Sequence, residues 1–164
     1  MAETSTIQNP KNQNFSSPRA MKGRLLAIDY GTTRVGIAIS DETNLIVRPL
    51  ASLPRSNWKK LLREIIDLRE RFDARGVVIG LPLRMDNSDS EMASEVRRIA
   101  RNLQLSLDVP IILQDEKLTS RAAREMIREL KSTNADEHSI AAMIILRDYL
   151  EIANQASQGN DQNL

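Results

Sequence analysis

Three stretches of this chain put acidic or hydroxyl side chains at one end of an apolar run, where they would be held at the rim of a folded core. The first is AIDYGTTRVGIAIS, in which Asp29 closes the run Arg24–Asp29. Gly31 then lets the backbone approach a ligand closely, while Thr32 and Thr33 offer hydroxyls and amides to an anion, with Arg34 as the adjacent cation. An Asp that merely caps a hairpin turn would read the same way. The second is ILQDEKLTSRAA, with Asp115 and Glu116 just past another apolar run. Acids there would also suit the positive end of a helix dipole. The third is Asp136, Glu137 and His138, which open the closing segment SIAAMIILRDYL; acids at a helix start and a surface histidine are the plainer account. A fourth stretch, GLPLRMDNS over Gly80–Ser88, carries Arg84, a charge-assisted donor for a phosphate or else a solvated loop arginine. It follows a strand, at the edge where open α/β sheets place ligands. Taken together, two strand-end carboxylates and a polar helix start make a hard-oxygen ligand set suited to Mg²⁺ or Mn²⁺. Two such ions roughly 4 Å apart clamp a phosphodiester, one activating water and one stabilising the leaving oxygen.

The elements that must position these residues follow from the period of the apolar side chains. Arg24–Asp29 and Val35–Ser40 read as strands of one hairpin, and Leu45–Leu50 as a third whose Pro49 suits an edge or a strand end. Trp58, Leu61, Leu62, Ile65, Leu68 and Phe72 recur at steps of three and four, the mark of an amphipathic helix, with Ser56 as its expected N-cap. Val77–Gly80 is a short buried strand. A helix is expected over about 90–106, a fifth strand at Ile111–Leu113, and helices over about 119–131 and 137–151. Ala141 and Ala142 would let the last helix lie close to the sheet. The order β-β-β-α-β-α-β-α-α predicts an α/β fold, a mixed five-stranded sheet with helices on both faces.

Composition bounds the rest. A chain of 164 residues suggests one domain, and the absence of cysteine excludes disulfides, thiolate metal sites and cysteine nucleophiles. No apolar run approaches the roughly 20 residues of a membrane span, and no signal-peptide pattern is read at the N-terminus. Residues 1–22 are polar and aperiodic and are expected to form a disordered arm, with Met21 an alternative start. Residues 154–164 have the same character and are expected to be a disordered tail, leaving a folded body over 23–153. The net charge is only +1, so any nucleic-acid surface must be a local patch. Aromatic content of 3% argues against an aromatic platform for single-stranded bases and for contact through the backbone.

The motifs DYGTTRVGIAISD, GLPLRMDNS, DEKLTSRAA and AAMIILRDYL, in that order over about 23–151, resemble the YqgF family of pre-16S rRNA nucleases, which are similar to Holliday junction resolvases. The resemblance implies an RNase H-like fold, a cytoplasmic location, and divalent-metal-dependent nuclease activity maturing the 5′ end of small-subunit ribosomal RNA. The partners it implies are precursor ribosomal RNA, alternatively branched DNA, and the small-subunit precursor itself. It implies no membrane, and a monomer or homodimer. Asp29 matches the family's first acid and Glu116 its second. The third acid begins the last helix; counting back from Tyr149 and Leu150, that place holds His138. Histidine ligates Mn²⁺, and Asp136 is the alternative third ligand after a small shift of the helix start. A non-catalytic RNA-binding assembly factor and a branched-DNA resolvase are the rival functions.

Overall fold

Alternation within the first strand divides its side chains between two faces. Leu25, Ala27 and Asp29 point one way, and Leu26, Ile28 and Tyr30 the other. The computed structural model describes residues 21–84, 86, 90–116, 125, 128–130 and 136–160. In it β1 (Leu25–Tyr30) and β2 (Arg34–Ser40) form the expected antiparallel hairpin, with Asp29 opposite Gly36. β3 (Val47–Pro54) pairs antiparallel with β2 at one edge of the sheet, which accommodates Pro49. β4 (Gly76–Leu81) and β5 (Ile111–Asp115) run parallel to β1 on its other side. The order is β3-β2-β1-β4-β5.

Helices cover both faces. α1 (Trp58–Phe72) and α2 (Glu91–Ser106) pack on the face that carries Leu26, Ile28, Ile37, Val77 and Ile79. α3 (Glu137–Asn160) packs on the face of Leu25, Ala27, Ala38 and Val78, through Ala142, Ile145, Leu146 and Tyr149. Small residues on that face bring α3 in close. A side chain on Gly36 would run into the His138 backbone carbonyl. A register shift in β2 between Val35 and Ile37 accompanies this contact, and the Ile37 N–H donates to the buried Ser139 hydroxyl at 3.3 Å.

Three local expectations are corrected. The cap of α1 is Asn57, whose side chain accepts from the Lys60 N–H at 3.0 Å; Ser56 lies one residue too early. Trp58 leaves the apolar stripe and is 52% exposed, because the packed face of α1 begins one turn later, at Leu61. The last helix continues to Asn160, past the expected start of a polar tail at 154, with Ala153 buried and the Ser157 hydroxyl donating to the Ala153 carbonyl. Residues 1–20 and 161–164 lie outside the described residues, as does most of the expected helix over 119–131, of which Glu125 and Arg128–Leu130 are helical.

Candidate active site

The C-terminal ends of β1, β4 and β5 lie side by side in the sheet, so Asp29, Gly80 and Glu116 come together from distant parts of the sequence. Asp29 faces α3. Glu116 is the first residue past β5, and its N–H donates to the Leu81 carbonyl at 3.3 Å. Its carboxylate lies over Gly80, and a Cβ there would overlap Glu116 Oε1 and come within 2.5 Å of Ile145 Cδ1. The missing side chain on β4 is what lets a residue from β5 reach one on β1. Asp29 and Glu116 are hydrogen-bonded to each other.

Burial and mutual repulsion set the protonation of this pair. Burial, then the Asp29 charge, the hydrogen bond to Asp29 and the Asp115 charge push the Glu116 carboxyl up to about 8. Burial also raises Asp29, against the hydrogen bond from Glu116 and the nearby His138, both of which favour its ionised form. At neutral pH the pair therefore holds one proton, on Glu116, donated to Asp29.

A cavity of about 250 Å³ opens beside the pair, lined by Asp29, Gln114, Asp115, Glu116, Ala141, Ile144, Ile145 and Asp148. Asp148 is the residue the sequence reading passed over. It is 6% exposed and follows Ala141, Ile144 and Ile145 at helical spacing on one face of α3. That spacing was the available signal, hidden because RDYL reads as the end of an apolar helix.

The other candidates sit around this centre in different roles. His138 packs over the turn that follows Asp29, with Nδ1 3.5 Å from where a Cβ on Gly31 would lie, but it does not line the cavity. Asp136 caps α3: its Oδ1 accepts from the His138 N–H at 3.0 Å. Burial works against the Asp136 charge, yet hydrogen bonds from Ser52 and the His138 N–H, with the charges of His138 and Arg34, hold its carboxyl below the ordinary range. Arg34 is turned to β3, donating to the Ser52 hydroxyl at 2.7 Å and the Ser52 carbonyl at 3.0 Å. The Gly31 N–H closes the turn onto the Arg34 carbonyl at 3.0 Å, and Thr32 and Thr33 are exposed at its tip. Arg84 is exposed and outside the cavity lining; Met85 and Asn87–Asp89 of its loop lie outside the described residues. Among the described residues no group of three or more His, Asp or Glu side chains is close enough to hold a metal ion.

The sequence profile of the RuvX family, described as Holliday junction resolvase, matches residues 23–152. The chain belongs to this family. Among relatives of this RuvX chain, the "Putative pre-16S rRNA nuclease" of Rickettsia peacockii (strain Rustic) is 34% identical over 131 residues, covering 77% of this chain and 85% of the relative. The protein of the same name from Rickettsia bellii (strain OSU 85-389) is 34% identical over 135 residues, 80% of this chain and 88% of its own. The fold is that of T. thermophilus RuvC, solved in complex with Holliday junction substrate: TM-score 0.59 at 15% identity, over 81% of this chain and 96% of RuvC. The yeast mitochondrial Holliday junction resolvase Ydc2 gives 0.57 at 12% identity, over 89% and 85%. These are resolvases of RNase H-like fold, so the expected fold holds. Family and relatives place the RuvX chain among nucleases, enzymes that hydrolyse phosphodiester bonds.

Proposed function

We propose that this chain is a divalent-metal-dependent endonuclease that trims the 5′ end of precursor 16S ribosomal RNA in the cytoplasm. The observation that carries the reading is the meeting of the Asp29 and Glu116 carboxyls, from the ends of β1 and β5, at one wall of a cavity. Two half-buried carboxylates in contact repel each other unless a positive charge stands between them, and without metal a proton takes that place. A hard divalent cation fits the same need with oxygen ligands. Asp29 and Glu116 would hold it; His138 would be the third ligand by its place at the start of α3, and Asp148 lines the same cavity. Bound there, Mg²⁺ or Mn²⁺ supplies charge for the scissile phosphate and lowers the pKa of water. The protein's own part is to hold both carboxylates ionised on rigid strand ends and to orient the phosphate. Thr32 and Thr33, exposed at the turn tip, and the exposed Arg84 would contact that phosphate or the next.

The relatives' names support RNA as substrate, and the family description supports branched DNA as the second reading. The deciding experiment incubates purified protein with a precursor rRNA fragment and with a four-way DNA junction, each in Mg²⁺, Mn²⁺ or chelator. Metal-dependent cleavage near the mature 5′ end of the RNA is expected. Cleavage of the junction alone would make the chain a resolvase. Binding of RNA without cleavage in any metal would make it an assembly factor.

A further inference from the structure

The face of the sheet opposite Asp29 carries a feature the nuclease centre does not use. Tyr30, the next residue along β1, points to the α1–α2 side. Arg55, just past β3, lies over its ring at 4.7 Å. The Arg55 N–H donates to the Thr33 carbonyl at 3.0 Å and its guanidinium to the Thr32 carbonyl at 3.3 Å. The same guanidinium pairs with Glu95 of α2. Arg55 thus ties the start of α1 to the turn beside the active centre. Three residues on, Trp58 is 52% exposed, the sole tryptophan of the chain. Lys59 Nζ lies over its ring at 5.9 Å, Lys60 and Arg63 are exposed behind it, and the first turn of α1 contains no acid. In a chain of net charge +1 this is a local concentration of positive charge around a flat apolar ring.

We propose that Trp58 stacks on an unpaired base of the substrate strand where that strand leaves the active centre, with Lys59, Lys60 and Arg63 meeting its phosphates. The inference rests on the nuclease reading for the kind of partner. A paired helix offers no free base face to an indole, whereas a single strand does, and lysines beside a stacking ring meet the backbone of the base it holds. One ring makes no platform for a run of bases; it grips one position. The basic side chains supply the complementarity that selects a polyanion over an apolar partner.

Because Trp58 is the only tryptophan, all tryptophan emission reports on this one site. The full chain is titrated in chelator with an oligouridylate, an oligothymidylate of equal length and a fully paired RNA duplex. Quenching by the unpaired strands is expected. Affinities of the tryptophan-free variants are read by anisotropy of end-labelled strands. Trp58→Ala should weaken binding of the unpaired strands about ten-fold or more, Trp58→Phe should regain most of it, and duplex affinity should not change. Trp58 is exposed, so both variants should fold, which circular dichroism checks. Absence of quenching at saturation, an unchanged affinity in Trp58→Ala, or an equal loss on the duplex would each overturn the proposal. Cleavage plays no part in these titrations. A chain that cuts precursor RNA in Mn²⁺ without quenching loses only the Trp58 inference, and one that quenches without cutting keeps it and loses the nuclease reading.

Discussion

The Glu116 carboxyl donates a hydrogen bond to Asp29 across the gap left by Gly80 on the strand between them. The shared proton has a thermodynamic consequence. Glu116 binds its proton more tightly folded than unfolded, so between its ordinary value and about 8 the native state holds the extra proton. The stability this contributes is full below the ordinary carboxylate range and is lost as pH rises through about 8. Metal-free protein should therefore melt at lower temperature at pH 9 than at pH 6. A cation that replaces the proton should reverse the trend and release about one proton on binding at pH 7. Calorimetric titration of Mn²⁺ in buffers of different ionisation enthalpy measures that proton directly. Binding with no proton release would mean the carboxylates are not the ligands.

Gly80 and Gly36 both lie under α3, yet substitution should affect them differently. An alanine at Gly80 meets the ends of two movable side chains, Glu116 and Ile145. Gly80→Ala should cost little stability, about 1 kcal/mol, but swing the Glu116 carboxylate away and lower cleavage by ten-fold or more. An alanine at Gly36 meets the His138 backbone, which cannot move without lifting the helix. Gly36→Ala should destabilise by about 3 kcal/mol or more. Thermal melts and single-turnover rates of the two variants separate these effects.

Asp29→Asn keeps the shape of the first carboxylate and removes its charge. Cleavage should fall by about two orders of magnitude, in line with the several kcal/mol a metal contributes at the reacting phosphate. Metal-free melting temperature should not fall, since the change relieves the repulsion that raises Glu116. A folded variant with full activity would remove Asp29 from the centre.

Much of this arrangement was legible before any coordinates. Strand-end position drew attention to Asp29 and to the Asp115–Glu116 pair, and the resemblance to the YqgF family chose Glu116 within that pair. Three-four periodicity located α1 and α3, and Pro49 marked the edge strand. What escaped depended on tertiary contact. Gly80 looked like the plain end of a buried strand until Glu116 lay over it. Asp148 looked like the surface of a terminal helix until the cavity beside α3 appeared. Trp58 fitted the apolar stripe by spacing, yet the core that α1 joins begins at Leu61 and leaves the ring exposed.

Met21 gives the stretch expected to be an arm a docked end. Its side chain packs beside Leu25 and Gly76, and its carbonyl accepts from the Asn44 side chain at 2.8 Å. Met21→Ala should lower stability by about 1 kcal/mol through lost apolar burial. Deletion of residues 2–20 should change the melting temperature little, because that stretch is mostly polar, with no apolar periodicity. A larger loss from the deletion than from Met21→Ala would show that the preceding residues also dock.

Asp136 and His138 were left as alternatives for one role, and their contacts now divide them. The Asp136 carboxylate is engaged by the His138 N–H at 3.0 Å, by Ser52 and by the charge of Arg34, the surroundings of a helix cap. Asp136→Ala should therefore cost about 1 kcal/mol of stability and leave Mn²⁺ affinity nearly unchanged. Its carboxyl lies below the ordinary range, so the cap's contribution is present above that range and fades as the pH falls through its folded value. The stability difference between wild type and Asp136→Ala should shrink below about pH 4. His138 makes its side-chain contact with the turn behind Asp29, where a ligand to a cation held by that carboxylate would stand. His138→Ala should leave stability nearly unchanged, weaken Mn²⁺ binding and slow cleavage. Imidazole nitrogen suits Mn²⁺ better than Mg²⁺, so wild type should cut faster in Mn²⁺, and His138→Asp should move the preference toward Mg²⁺. Weakened cation binding in Asp136→Ala, with none in His138→Ala, would hand the ligand role to Asp136. Indifference of cation binding to both would leave Asp29 and Glu116 as the whole of the protein's contribution to the metal.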